Sequence, residues 1–131
     1  MGTPTNPRLR HAALTEQVIG LAIEVHRGLG PGLLESAYEA CLCAELTLAA
    51  IPFARQVSLP VIYKSVRLDC GYRLDIVVDE VIVVEIKTVD RLLPVHDARL
   101  LTYLRLSRCP VGLILNFHAA MLTHGLRRRA L

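Results

Sequence analysis

Two short segments carry the residues that could do chemistry. Tyr72-Arg73-Leu74-Asp75 is followed, after a ten-residue step, by Val84-Glu85-Ile86-Lys87. The second acid and the lysine close an apolar, β-branched run, Val81-Ile82-Val83-Val84, of the kind expected in a buried strand. Charges in such a place are costly unless they are paired or hold a metal. Two carboxylates and a lysine brought together suit metal-assisted hydrolysis of a phosphodiester: the acids hold a divalent cation, and the lysine steadies charge or helps activate water.

Strand geometry tests whether they can meet. Side chains alternate, so Arg73, Asp75 and Val77 share one face, as do Val83, Glu85 and Lys87. A three-residue loop, Asp79 to Val81, pairs residue 78 with 82 and sets Asp75 opposite Glu85, with Cβ atoms about 4.5–5.5 Å apart. A two-residue loop would throw the acids onto opposite faces. The chemistry therefore requires an odd-length loop or a bulge.

Two helices must complete the site. The stretch from about Leu33 to Ala49 follows the breaker Gly30-Pro31-Gly32 and places Glu35 on the side of Tyr38, Leu42 and Leu46. Glu35 is either a site acid or a first-turn partner of the helix dipole. In the helix from about Pro94 to Arg108, His96, Arg99 and Tyr103 fall in one arc, a substrate-facing edge, with Leu100, Leu101 and Leu104 on the packed side. A first helix over about Leu14–Arg27 carries Val18, Ala22 and Val25 on one side, with Thr15 as N-cap. Strands are expected at about 54–63, 66–78, 81–87 and 111–117, the first at an edge or bulged because of Pro60.

The ordered set Gly32-x-x-Glu35-x-x-Tyr38, Gly71-Tyr72-Arg73-Leu74-Asp75, Val84-Glu85-Ile86-Lys87, Tyr103-Leu104 and Gly112-Leu113-Ile114-Leu115-Asn116-Phe117 resembles the GxxExxY proteins, small members of the PD-(D/E)xK nuclease superfamily. The resemblance spans about Leu14 to Arg129. It implies an α/β fold: a single domain with a restriction-endonuclease-like core and a mixed central β-sheet flanked by helices. It implies catalytic Glu35, Asp75, Glu85 and Lys87, with Asp75, Glu85 and Glu35 holding Mg²⁺ or Mn²⁺, and Arg73, His96, Arg99 and Tyr103 around the substrate. The substrate implied is nucleic acid, DNA foremost. Leu74 replaces the motif's proline, whose side chain points away from the metal. Arg99 stands where the family usually has glutamine; it only donates and is always charged. Without metal it is expected in salt-bridge range of Glu35, Asp75 or Glu85. That leaves a second reading, a catalytically impaired nuclease fold that binds nucleic acid or acts as an assembly module.

Composition agrees with one domain over residues 13–131 behind a flexible tail, 1–12. At 131 residues and 53% apolar, one core is expected, and the high mean hydropathy of +0.42 with a helix apolar nearly all round suggests a homodimer. No apolar run approaches the ~18 residues of a membrane span, and no signal peptide is evident, which suggests the cytoplasm. The four cysteines form no CxxC pair and are expected as reduced, mostly buried thiols. The five histidines show no ligand spacing. A net charge of +3 permits nucleic-acid binding. Arg127-Arg128-Arg129 reads as a phosphate contact or a soluble tail, while 5% aromatics and no tryptophan give little support to base stacking.

Overall fold

A computed structural model describes residues 11–131, so the expected tail lies, but for its last two residues, outside the described residues. The first helix, α1 (Ala12–Leu29), buries Val18, Ala22 and Val25 as their spacing requires. It starts earlier than expected, and Thr15 is no N-cap: it is buried, and its hydroxyl donates to the His11 carbonyl at 2.8 Å. The helix ends where Gly30 takes φ +68°, its amide returning to the His26 carbonyl at 2.8 Å.

The second helix, α2 (Glu35–Leu48), is positioned by a tyrosine. The Tyr38 hydroxyl donates to the Gly30 carbonyl and accepts the Leu33 amide at 3.1 Å, closing the Gly30-Pro31-Gly32 turn, in which Gly32 takes φ +105°. Its ring stacks on Phe117 with centroids 4.4 Å apart. These bonds set the helix start at Glu35, two residues later than the sequence suggested.

The main sheet runs β1 (Phe53–Ser58), β4 (Arg73–Val78), β5 (Ile82–Lys87), β6 (Val111–Asn116) and β7 (Leu126–Ala130), in that spatial order. All neighbours are antiparallel except β5 and β6, which are parallel and joined through α3 (Pro94–Ser107). The sheet is therefore mixed, and β1 is an edge strand. Pro60 and Gly71 interrupt the two long strands expected before residue 78. Between the breaks a separate hairpin forms from β2 (Val61–Tyr63) and β3 (Val66–Leu68).

Packing follows the strand alternation. Ile76, Val78, Val84, Ile86, Leu113 and Leu115 join Val18, Tyr38 and Leu42 in the larger core beneath α1 and α2. Val83 and Ile114 face the other way and pack with Leu100 and Leu104 of α3. Strand β5 is covered on both faces, which accounts for its unbroken apolar run. Helix α3 packs tightly on the sheet at Gly112, where a Cβ would lie 2.8 Å from Leu100 Cδ1.

Strand β7 corrects the reading of the arginines as a tail. They alternate on an edge strand antiparallel to β6, and Arg129 lies 2.8 Å from Asp97 Oδ1 of α3, a close ion pair whose angles fall short of a hydrogen bond. A charged edge of this kind discourages strand addition by other chains. All four cysteines are free: Cys43 and Cys109 are buried, Cys41 is half-buried and Cys70 exposed. No helix among the described residues is long and apolar enough to cross a membrane.

Candidate active site

The hairpin between β4 and β5 has the odd loop the chemistry requires. Asp79, Glu80 and Val81 form the turn, the first two at φ +50° and +60°, and the ladder pairs Val78 with Ile82, Val77 with Val83 and Ile76 with Val84. One step further Asp75 would stand opposite Glu85, and here the backbone ladder gives way to side chains. The Ile86 amide donates to Asp75 Oδ2 at 2.8 Å, and the Asp75 amide points to Glu85 Oε1 at 3.4 Å. The two carboxylates are thus held together where the strands part.

Their environment is hostile to charge. Glu85 is buried; that burial, and then the neighbouring Asp75 carboxylate, push its pKa up to about 8, against the pull of Lys87. Asp75 is half-buried and also raised, by desolvation first, with the Ile86 amide opposing. Lys87 follows Glu85 on the same face, is half-buried and makes no ion pair among the described residues. Past it the backbone is clamped: Phe117 donates to the Lys87 carbonyl at 2.9 Å, while the buried Asn116 side chain accepts the Val89 amide at 3.1 Å and donates to its carbonyl at 2.9 Å.

Helix α3 closes the cleft. Glu85, Lys87, His96, Arg99, Leu100, Tyr103 and Ile114 line it, so the arc of His96, Arg99 and Tyr103 does face the acid-x-lysine strand. His96 has a structural task as well, accepting the Leu93 amide on Nδ1 at 2.9 Å and capping the helix. The Tyr103 hydroxyl is shifted upward by burial and by Glu85, so it stays a protonated donor. Arg73 stands exposed at the start of β4, outside the lining of this cleft.

Two expectations need correction. Arg99 is exposed and forms no ion pair with Glu35, Asp75 or Glu85. Drawing a guanidinium inward costs hydration, and acids with raised pKa values offer it less charge in return. Glu35 is also exposed, on the first turn of α2, and reaches Asp75 and Glu85 only as a through-space charge that raises both. Among the described residues no three His, Cys, Asp or Glu side chains cluster as a metal-ligand set, so the structure assembles a carboxylate pair rather than a triad.

The buried acid of α2 is Glu39, one turn further on, which the sequence reading passed over. It takes Arg55 Nη2 at 2.8 Å, Arg55 Nε at 3.1 Å and Gln56 Nε2 at 2.8 Å. Consecutive strand residues normally point to opposite faces; Gln56 adopts φ +50°, and both side chains converge on one carboxylate. Gln56 falls at the gap in the β1–β4 ladder beside Asp75, between the pairs Arg55–Ile76 and Val57–Leu74. Spacing could have found Glu39, since it shares the Leu42, Cys43 and Leu46 face.

The donor set suits a hard divalent cation. It is all oxygen, and a pair of crowded carboxylates with one pKa driven upward lacks positive charge that Lys87 alone does not supply. Magnesium sites commonly use one or two carboxylates and keep several waters.

A mixed five-stranded sheet flanked by helices, with paired acids and a lysine on adjacent central strands, defines a restriction-endonuclease-like fold. A family model described as the PD-(D/E)XK nuclease superfamily matches residues 12–129, and the chain belongs to that superfamily. Its members generally use divalent metal ions. No curated protein and no solved structure matches this chain.

Proposed function

We propose that this protein is a divalent-metal-dependent nuclease of the GxxExxY kind, hydrolysing phosphodiester bonds in nucleic acid, with DNA the first substrate to try. The observation that carries the reading is the Asp75–Glu85 pair at the fork of β4 and β5, one carboxyl pushed up to about 8, with Lys87 next on the same face. Asp75 and Glu85 would hold Mg²⁺ or Mn²⁺, which supplies Lewis-acid stabilisation of charge on the phosphate and acidifies water. Lys87 neutralises negative charge beside the reacting phosphate and orients the attacking water. Tyr103 donates a hydrogen bond from its protonated hydroxyl, and Arg99, which pairs with no carboxylate among the described residues, pairs with a phosphate at the mouth of the cleft. Glu35 adds negative potential from the rim. The impaired-enzyme reading needed Arg99 inserted among the acids; it stays outside them.

The proposal includes self-association through α2 and the residue that precedes it, with Leu34 and Leu48 76% and 82% exposed. A monomeric mass by light scattering at tens of micromolar removes that part alone.

The test is incubation of DNA and RNA with the purified protein in Mg²⁺, Mn²⁺ or EDTA, beside Glu85→Gln and calorimetric metal titration. Metal-dependent cleavage lost in the variant supports the reading. Absence of both cleavage and metal binding at millimolar Mg²⁺ and Mn²⁺ overturns it.

A further inference from the structure

A second groove adjoins the cleft. It runs between α3 and the β2–β3 hairpin, lined by Val61, Tyr72, Val95, Tyr103 and Leu106, with Arg99 at its junction with the cleft. Arg99 and Tyr103 line both spaces, so groove and cleft adjoin at these two side chains. The Tyr72 and Tyr103 rings lie 6.3 Å apart and tilted by 57°, leaving Tyr72 47% and Val95 51% exposed. Tyr63, 63% exposed, follows Val61 on the same face of β2. Composition gives stacking little support; the fold nevertheless brings Tyr72 and Tyr103 together in one groove.

Charge at the groove has one sign. No lining residue is acidic; Arg99 lies at one end, and Arg105, held by Nη2 on the Thr102 hydroxyl at 3.0 Å, lies at its edge. Apolar aromatic walls between guanidinium groups are ill suited to the outside of a duplex, whose bases are turned inward and whose backbone offers only phosphate and sugar. They suit a strand whose bases are free, since every base has an apolar π-face and is linked through phosphates. An apolar peptide would leave Arg99 and Arg105 without counter-charges.

We propose that the α3–hairpin groove holds an unpaired nucleobase beside the scissile phosphate, so that the substrate is single-stranded nucleic acid or a single-stranded flap or loop. The inference rests on the nuclease reading for the direction of the strand, because the phosphate at Arg99 leads into the cleft of Glu85 and Lys87. Tyr72 stacks on the base, Tyr103 forms the other wall, and Arg99 and Arg105 bracket the nucleotide through its phosphates.

The test is fluorescence anisotropy in EDTA with labelled oligo-dT, oligo-U and a blunt dA·dT duplex of equal length. Expected are tighter binding of a single strand than of the duplex, a loss of about tenfold or more in Tyr72→Ala, retention in Tyr72→Phe, and weakened single-strand binding in Val95→Asp. Both positions are solvent-exposed, and circular dichroism checks that the variants are folded. The dT and U arms show which sugar is taken. Equal binding of duplex and single strand, with Tyr72→Ala and Val95→Asp both silent, overturns the inference. Because no metal is present, the two readings fail separately. Tyr72-dependent strand binding without cleavage sinks only the nuclease, whereas cleavage of duplex and single strand alike, indifferent to Tyr72→Ala, sinks only the groove.

Discussion

The Ile86 amide donates to the Asp75 carboxylate at 2.8 Å, so a side chain occupies the place that a strand backbone would take. The ladder between β4 and β5 stops at Ile76–Val84 for this reason, and the fork it leaves sets two carboxylates side by side. The same bond that orients Asp75 also holds down its pKa against burial.

Stability of the metal-free protein should fall as pH rises. Glu85 has a folded pKa of about 8 against an ordinary 4.5. Below that ordinary value it is protonated folded or unfolded, and between the two the unfolded carboxyl ionises while the folded one keeps its proton. Stability therefore declines across this window and levels off above it. Asp75 acts in the same direction. Thermal melts in EDTA should show the decline, and Glu85→Gln should flatten it; an unchanged slope in that variant would mean that Glu85 is not the titrating group.

Magnesium should raise the melting temperature more at the alkaline end of that window than at the acid end, because binding requires ionised carboxylates. Asp75→Asn should remove the effect at every pH. Stabilisation by Mg²⁺ that ignores pH would place the ion elsewhere.

Lys87→Ala should lower cleavage by roughly 10²-fold or more while leaving calorimetric metal binding in place, since an ammonium is no cation ligand. Cleavage at the parental rate would make the lysine structural.

Arg99→Gln should leave metal affinity unchanged, because Arg99 pairs with none of the three acids, and should weaken nucleic-acid binding. This reverses the expectation from the sequence. A tighter metal site in the variant would show that Arg99 competes for the carboxylates in solution.

Gly112→Ala should destabilise the fold by about 1–3 kcal/mol, the usual range for overpacking a filled core. The added methyl would meet Leu100 Cδ1 at 2.8 Å, and Leu100→Val should recover part of the loss. Additive chemical-denaturation energies for the two changes would show that they do not share that contact.

What the sequence displayed well was period and punctuation. Alternation left the β4–β5 register open between two loop lengths, and only the requirement that Asp75 meet Glu85 selected the odd loop the structure has, whereas the buried stripe of α1 followed from its helical spacing. Strand β7 stayed hidden because three arginines look like a solvated tail until β6 supplies their partner. Helical spacing marks Glu39 as buried, but not its partners: Arg55 and Gln56 converge on it only through a left-handed backbone at Gln56 that residue type does not announce. The Tyr72–Tyr103 pair escaped composition for a related reason: a percentage counts aromatic residues but not their neighbours. The attraction between Arg99 and the acids is legible in the sequence; the hydration that the guanidinium would lose on entering the site is not.

Tyr38 joins the turn at Gly30 to the sheet through Phe117, and that latch changes how the spacing Gly32-x-x-Glu35-x-x-Tyr38 should be understood. Its tyrosine is a clasp, and its glycine supplies the backbone bend that lets the clasp close. A descendant that lost cleavage would still need both in order to fold, and would still display them. The spacing is thus a signature of architecture; on the proposed mechanism, whether such a chain still cleaves nucleic acid would be decided by Asp75, Glu85 and Lys87.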